Sequence, residues 1–357
     1  MSKFKILELF GGIGACSKAL ERLGIDYEIA DYVEIDKYAV KSFNAIHNTN
    51  FEPQDITQWD KDIEVDLIMH GSPCQDFSLA GKQAGGDKDS GTRSSLMYET
   101  IRIVEKLKPK YVIWENVKNL LSKKHRHNFD AYLETMEQLG YVNYYQVLNA
   151  KDYGIPQNRE RVFTVSILGS ENYEFPKENI QECEVINPLQ GISGKSWQFE
   201  QNVYSENSIL RSLKAGGGSG NIPKVIEHFE FPPKQELKLK LKDMLEDEVD
   251  GKYYLSDVQI KRIETTTYNV GKTRIQKKEW CDTLCARDWK DPKCVEVNRI
   301  RKLTPKECWR LMGFDDEDFE KASKVNSNSQ LYKQAGNSIV VNVLEKILNN
   351  LLPTCKN

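Results

Sequence analysis

The stretch from His70 to Ser78 reads His-Gly-Ser-Pro-Cys-Gln-Asp-Phe-Ser and places a cysteine where it could act as a nucleophile. The mostly apolar run Val65–Met69 is typical of a buried strand, which Gly-Ser-Pro would end. Cys74 is therefore predicted on a loop at the carboxyl end of a strand, where open α/β sheets bind ligands. Because Pro73 fixes one backbone angle, the Cys74 thiol is expected to have a restricted direction. A lone cysteine is more often a small buried apolar residue, so both interpretations stay open here.

Charged residues also stand where other predicted strands begin or end. Glu115 follows the apolar strand Tyr111–Trp114, as a site acid or as a capping or surface acid. Arg159 and Arg161 are two apart in extended chain, so both side chains are expected on one face. Such a pair predicts an anionic or hydrogen-bonding target, and surface pairing with Glu8 or Glu115 is the alternative.

A glycine-rich turn near the start could bring backbone close to a ligand. The predicted strand Phe4–Phe10 leads into Gly-Gly-Ile-Gly, and a helix from Ala15 to Leu23 follows. Strand, glycine turn and helix form the first unit of a nucleotide-binding α/β sheet. Ser17 stands where the third glycine of the dinucleotide fingerprint belongs, so a cofactor without phosphates is favoured.

Two acids and a loop extend this candidate site. Glu34 ends the strand Tyr27–Val33 about 20 residues after the glycine turn, where an acid meets ribose hydroxyls in such folds; a surface glutamate is the alternative. Asp55 either caps the next helix or contacts an adenine amine. The glycine-rich loop Ala80–Arg93 has the length and position of a lid, rather than a simple connector.

Composition excludes several classes. The 357 residues are 39% hydrophobic and 29% charged, with a net charge of −3. No apolar run approaches the ~18 residues of a membrane helix and no signal peptide is visible, so a cytoplasmic protein is expected. The eight scattered cysteines predict no disulfides. Cys281, Cys285 and Cys294 lack the paired spacing of structural zinc, so no metal is expected.

Regular strand–helix alternation stops after Gly169. Residues 170–300 predict an irregular second domain with a faint internal similarity, and its basic stretch Lys252–Lys278 is either a solvated surface or a phosphate-contacting patch. Further on, Thr304 and Glu307 form a capping box for a helix that is expected to end at Gly313.

The last predicted helix, Ile339–Leu352, is apolar on one side and is expected to dock on the first sheet. The fold class is therefore α/β, a mostly parallel sheet completed by the C-terminal helix, plus a smaller irregular domain. The predicted domains are 1–169, 170–327 and 328–357.

Eight motifs, in order, resemble the DNA cytosine-5 methyltransferases of bacterial type, with only residues 170–300 outside the match. The departures are minor, namely Gly11 in place of a frequent alanine, and His70 and Ser72 beside the cysteine. The motifs are Phe10-Gly-Gly-Ile-Gly14, Glu34, Asp55, Pro73-Cys74-Gln75, Glu115-Asn116-Val117, Gln157-x-Arg159-x-Arg161, Arg301-Lys-Leu-Thr-Pro-Lys-Glu-Cys308 and Gly336-Asn337-Ser338.

The resemblance implies a Rossmann-like methyltransferase that uses S-adenosyl-L-methionine. Cys74 would be the nucleophile, Glu115 the acid at ring nitrogen 3, and Arg161 the ligand of the carbonyl oxygen. Arg159 would buttress the loop. The cofactor residues implied are Phe10 at the adenine, Gly12 and Gly14 at the amino-acid moiety, Glu34 with Ile35 at the ribose, Asp55 and Ile56 at the adenine edge, and Pro73, Leu96, Asn337 and Ser338 around the rest.

The implied substrate is a cytosine flipped out of double-stranded DNA, and residues 170–300 would read the sequence. The enzyme would be a monomer from a restriction-modification system, a phage or an orphan gene, with a restriction endonuclease as a functional partner but not a stable complex. Three alternatives remain: an RNA cytosine-5 methyltransferase on the same scaffold, a nicotinamide oxidoreductase, and a catalytically inactive DNA-binding relative. The Cys-Phe-Thr signature of the RNA branch is absent.

Overall fold

The structure, a computed structural model, describes residues 3–73, 96–169, 172–176 and 300–352, with short pieces between 203 and 283. Cys74, the predicted lid Ala80–Arg93, the basic stretch Lys252–Lys278 apart from isolated positions, and Cys285 with Cys294 lie outside the described residues. The chain divides into two compact units. The first comprises Met1–Leu148, Glu160–Lys177 and Val343–Asn357, and the second comprises Asn149–Arg159 and Glu178–Asn342.

A six-stranded, mostly parallel sheet forms the first unit, with strand order β2-β1-β3-β4-β7-β5. Strands β1 to β4 run parallel, and β7 is antiparallel to β4. The strands are β1 Phe4–Leu9, β2 Tyr27–Val33, β3 Leu67–His70, β4 Tyr111–Val117, β5 Tyr141–Asn149 and β7 Glu160–Leu168, and the helices are α1 Ala15–Arg22, α2 Lys37–His47, α3 Met97–Leu107 and α4 Arg126–Gln138.

Apolar strands and amphipathic helices explain this arrangement. Leu7, Ile68 and Val112 on three neighbouring strands are completely buried and pack with Ile103 of α3 and Tyr132 of α4. Strands covered on both faces read as continuous apolar runs, which is how the sequence revealed them. The predicted mostly parallel α/β fold is confirmed, with strand boundaries shifted by a few residues.

In the part of the second unit that the structure describes, there are two three-stranded sheets and several helices. The sheets have the orders β12-β10-β8 and β11-β9-β6. The strands are β6 Gln157–Asn158, β8 Val203–Ser205, β9 Ile209–Ser212, β10 Lys224–Ile226, β11 Trp280–Thr283 and β12 Ile300–Lys302, and the helices are α5 Pro305–Arg310, α6 Asp316–Ser323 and α7 Asn328–Asn337.

The helices of the second unit partly match their predictions. The capping box of Thr304 and Glu307 is present as predicted, with Pro305 at the first helical position. Helix α5 ends at Arg310, three residues before the predicted Gly313, and Gly313 adopts the left-handed φ of 82° that is typical of a glycine closing a helix. Helices α6 and α7 were not predicted, because their polar composition hides their apolar faces.

The last helix, α8, spans Val341–Leu351 and belongs to the first unit from Val343 onward. There Ile347 is fully buried, the Tyr173 hydroxyl donates to its carbonyl at 3.5 Å, and Asn350 donates to the Glu174 carbonyl at 3.3 Å. The predicted limits 169, 327 and 328 stay predictions. Among the described residues, no helix is both long and apolar enough to cross a membrane.

Candidate active site

The turn after β1 is shaped by its glycines. A Cβ on Gly11 would lie 2.7 Å from the Tyr32 ring, which explains why the alanine common at this position in the resembling family is absent here. Gly14 begins α1 with a left-handed φ of 81°, and a Cβ there would meet His47 at 2.2 Å. Phe10 also has a positive φ of 53°, a strained conformation of the kind that clusters at ligand sites. Gly11 and Gly14 are therefore required by internal packing, whereas the space beside Gly12 is open.

Glu34 closes this turn from the end of β2. Its Oε2 accepts from the Gly12 N–H at 3.2 Å and its Oε1 accepts from the Asp36 N–H at 2.8 Å. Burial raises the pKa of Glu34, while those backbone hydrogen bonds oppose the rise. The carboxyl thus stands beside Gly12 and can accept hydrogen bonds from a ligand, while its contact with ribose hydroxyls stays a prediction.

The next predicted residues lie beside Glu34. Ile35 directly follows Glu34, and its side chain is 68% exposed. The Gln54 N–H donates to the Glu34 carbonyl at 2.9 Å, which brings Asp55 and the buried Ile56 close to it. Asp55 accepts from the Thr57 N–H at 3.0 Å, so the capping alternative is confirmed in this structure.

Beyond the carboxyl end of β3, the described part of the chain stops at Pro73. Just before it, the Ser72 hydroxyl accepts from Trp114 Nε1 at 3.0 Å, and the Ser72 carbonyl accepts from Asn116 Nδ2 at 3.4 Å. The His70 ring stacks on Trp114 with centroids 5.6 Å apart. These contacts of Trp114 with His70 and Ser72 were not predicted. Two signals in the sequence pointed to them: Trp114 directly precedes Glu115, and Ser72 is unusual at its position.

Glu115 and Arg161 meet across the antiparallel strands β4 and β7. Arg161 Nε lies 3.0 Å from Glu115 Oε1, and both side chains are largely buried. Glu115 Oε1 has no hydrogen-bond partner in the described structure, so the contact is an ion pair without an aligned hydrogen bond. A buried carboxyl group that lies beside an arginine and is not saturated in hydrogen bonds can form a hydrogen bond with a substrate.

Arg159 has a different target from Arg161. Its Nη2 donates to the Ser338 carbonyl at 2.8 Å and approaches the Gly336 carbonyl at 3.5 Å, all within the second unit. The surface-pairing alternative was therefore partly correct for Arg161 and wrong for Arg159. Asn337 ends α7 and is exposed, whereas Ser338 is buried. Leu96 packs against the main core at the start of α3.

These residues are suited to a ligand with hydroxyl groups and an apolar face. Glu34 offers a carboxyl, Gly12 an open left-handed turn, and Ile35 an exposed apolar side chain. A second ligand that changes charge during a reaction would be served by the pair of Glu115 and Arg161.

Comparison with known proteins gives a consistent result. The family model of the C-5 cytosine-specific DNA methylases matches residues 4–352. The orphan methyltransferase M.SPBetaI of Bacillus phage SPbeta is 31% identical, covering 100% of this chain and 99% of the relative. The type II methyltransferase M2.ScrFI of Lactococcus lactis subsp. cremoris is 32% identical, covering 97% and 98%.

Solved structures share the fold. The crystal structure of S. pombe Dnmt2 methyltransferase superimposes with a TM-score of 0.61 at 18% identity, covering 99% of each chain. A putative DNA modification methyltransferase encoded within an E. coli prophage gives a TM-score of 0.57 at 18% identity, covering 99% of this chain and 100% of that one. At this identity the likeness supports the architecture alone.

Proposed function

Because this chain belongs to the C-5 cytosine-specific DNA methylases, we propose that it methylates ring carbon 5 of a cytosine in duplex DNA through a covalent cysteine adduct. The observation that carries the proposal is the buried ion pair of Glu115 and Arg161 at the end of β4. Carbon 5 of cytosine is a poor nucleophile, so the enzyme must change the ring electronically before a methyl group can be accepted.

In the proposed chemistry, the Cys74 thiolate forms a C–S bond to ring carbon 6 and the ring electrons shift toward nitrogen 3. Glu115 donates a proton or hydrogen bond there, which makes carbon 5 enamine-like and nucleophilic. Carbon 5 would then take a methyl group from a sulfonium donor, whose S–CH3 bond breaks so that the donor leaves as the neutral thioether. A base removes the carbon-5 proton, and the Cys74 thiolate is expelled. Each bond that forms at the cysteine is thus broken again within one turnover.

The two arginines take different roles in this proposal. Arg161 holds the cytosine carbonyl oxygen from its position beside Glu115, where it stabilises negative charge that develops on the ring. Arg159, which donates to the Ser338 carbonyl, is a positioning residue that fixes the segment containing Asn337 and Ser338.

The cofactor of the proposal is S-adenosyl-L-methionine, which supplies an electrophilic methyl group when bound. The residues fit it, because the glycine turn lacks the third glycine of a pyrophosphate site and Glu34 can accept from ribose hydroxyls. The remaining contacts are proposed as in the resembling family, with the adenine and amino-acid groups held by Phe10, Gly12, Gly14, Ile35, Asp55, Ile56, Pro73, Leu96, Asn337 and Ser338.

The proposed substrate is double-stranded DNA, whose target cytosine must reach Cys74, Glu115 and Arg161. A cytosine stacked in a duplex cannot reach them, so it must be flipped out, at a cost of about a few kcal/mol. Residues 170–300 would read the sequence, with Lys252–Lys278 on phosphates and Ala80–Arg93 closing behind the base. We place the enzyme in the cytoplasm of a bacterial or phage-infected cell, acting as a monomer beside a restriction endonuclease or as an orphan.

Duplex DNA with 5-fluorocytosine at the target tests the proposal, because fluorine at carbon 5 cannot leave as a proton does. We expect a covalent complex whose peptide map places the adduct on Cys74, and C74S should lose both trapping and turnover while it keeps cofactor affinity. Cys16 and Cys308 are buried, and burial raises the pKa of the Cys16 thiol, so neither should be labelled. Trapping at another cysteine, or faster methylation of RNA than of duplex DNA, would contradict the proposal.

A further inference from the structure

Asp31 is a buried carboxylate that the proposed chemistry does not use. It lies on β2 and is 2% exposed. The pairing of β1 with β2 shifts here, since Ile6 lies opposite Ile29 and Leu7 opposite Asp31. Ala30 is thus the extra residue of a β-bulge, and bulges re-aim the side chains beside them. The β-bulge therefore sets the direction of the Asp31 side chain.

Three donors converge on Asp31 from the segment that follows Pro53. Trp59 Nε1 donates to Oδ2 at 2.7 Å, and Gln54 Nε2 donates to Oδ1 at 3.0 Å. Lys61 Nζ lies 2.7 Å from Oδ2 and is 52% exposed. A buried carboxylate needs such donors, and they fix both ends of the segment Gln54–Trp59.

Arg102 holds the same segment from α3. Its Nη2 donates to the Ile56 carbonyl at 3.0 Å and to the Trp59 carbonyl at 2.9 Å. Its Nε donates to Glu99 at 2.9 Å, which keeps the guanidinium in place. The segment is therefore held from two sides, by Asp31 through side chains and by Arg102 through backbone.

We propose that Asp31 and Arg102 are positioning residues that hold the segment Gln54–Trp59 in its binding conformation before the cofactor arrives. The inference rests on the proposed function, in which Asp55 and Ile56 contact the adenine edge. We call the contacts that Asp31 and Arg102 make with this segment the clamp. A segment ordered in advance costs no conformational entropy on binding, so the clamp contributes to cofactor affinity. It lies apart from Glu115 and Arg161, so it leaves the chemical step unchanged.

Calorimetry with S-adenosyl-L-methionine and steady-state methylation with saturating DNA test this clamp. D31L should raise the cofactor Kd and KM about tenfold, with kcat at saturating cofactor unchanged. D31N should restore most of the affinity, because its amide oxygen still accepts from Trp59. R102M should act in the same direction as D31L from the other side of the segment. A merely structural defect would lower kcat and would not be rescued by asparagine.

Asp60 provides the matched control. It pairs with Lys106 at 2.6 Å next to the same segment, but its side chain is 76% exposed, so D60N should leave Kd within about twofold of wild type. Should D31L fail to fold, D31N and R102M still decide the outcome. Equal cofactor affinity in wild type, D31L and R102M would overturn the clamp, whereas a wild-type protein that binds no cofactor would overturn the proposed function.

Discussion

Glu8 on β1 and Glu34, the residue after β2, accept hydrogen bonds from serine and backbone donors, and burial raises the pKa of both carboxyls. On β4 and β7 of the same sheet, Glu115 instead lies 3.0 Å from Arg161. We call the first pair of strands the cofactor half and the second pair the reaction half, after the roles proposed above for Glu34 and for Glu115.

The sharpest way to break this comparison is to neutralise Glu115. E115Q keeps the shape of the side chain but cannot supply a proton or balance Arg161, so kcat should fall about 10³-fold. Cofactor affinity should not change, because the substitution lies in the reaction half. Single-turnover methylation and calorimetry separate the two effects.

Glu160 supplies the control for this prediction. It lies next to Arg161 in sequence and pairs with Lys118 at 2.7 Å, yet both of those side chains are exposed. E160Q should therefore stay within about twofold of wild type. Turnover of E115Q within tenfold of wild type would remove Glu115 from the reaction.

The next largest effect concerns Glu8 in the cofactor half. Burial raises its pKa from about 4.5 to about 7, although the Ser17 hydroxyl and N–H donate to it. Between these values the folded protein binds more protons than the unfolded chain, so the free energy of unfolding falls as pH rises. The loss is at most about 3 kcal/mol and is complete above pH 7.

E8Q should remove this pH dependence and be more stable than wild type at pH 8. Burial lowers the pKa of His70 to about 3, which makes stability rise with pH over an overlapping range. The wild-type curve therefore contains opposing contributions, and the difference between E8Q and wild type isolates Glu8. Urea unfolding at several pH values measures it, and parallel curves for the two proteins would refute the assignment.

The sequence predicted the strands of the sheet better than the short helices of the second unit. β1 to β4 were recognisable because strands buried on both faces read as continuous apolar runs, and the capping box at Thr304 is a local signal. The short helix Asn328–Asn337 was missed because its apolar face appears only once it packs. Family motifs predicted Glu34, Glu115 and Arg161, and the structure gives each of them a specific contact.

Long-range side-chain partners were beyond the sequence. The hydrogen bond from Trp59 to Asp31 joins residues 28 apart, and the contact of Trp114 with Ser72 joins residues 42 apart. Neither has a fixed spacing or a periodic pattern that could announce it. The β-bulge that aims Asp31 depends on strand pairing, which the sequence of β2 alone does not encode.

Trp114 tests whether the reaction half also depends on such partners. W114F keeps an aromatic ring but removes the donor to Ser72, two residues before Cys74. We expect kcat to fall about tenfold at unchanged cofactor affinity, because the serine hydroxyl loses its buried partner. W309F is the control, since that indole donates to the Leu331 carbonyl in the second unit. An equal loss of kcat in W309F would show general destabilisation instead.

Lys61 should give the smallest effect and thereby sharpen the comparison. Although Lys61 Nζ lies 2.7 Å from the buried Asp31, the lysine side chain is 52% exposed, so water and salt screen its charge. K61M should therefore change the cofactor Kd less than about twofold, while D31L changes it about tenfold. Trp59 and Gln54 still donate to Asp31 in K61M. A larger Kd change in D31L than in K61M would therefore show that the neutral donors, and not the lysine charge, hold the segment. Calorimetry measures the cofactor Kd of the two variants side by side, and equal losses of affinity would show that the lysine charge holds the segment.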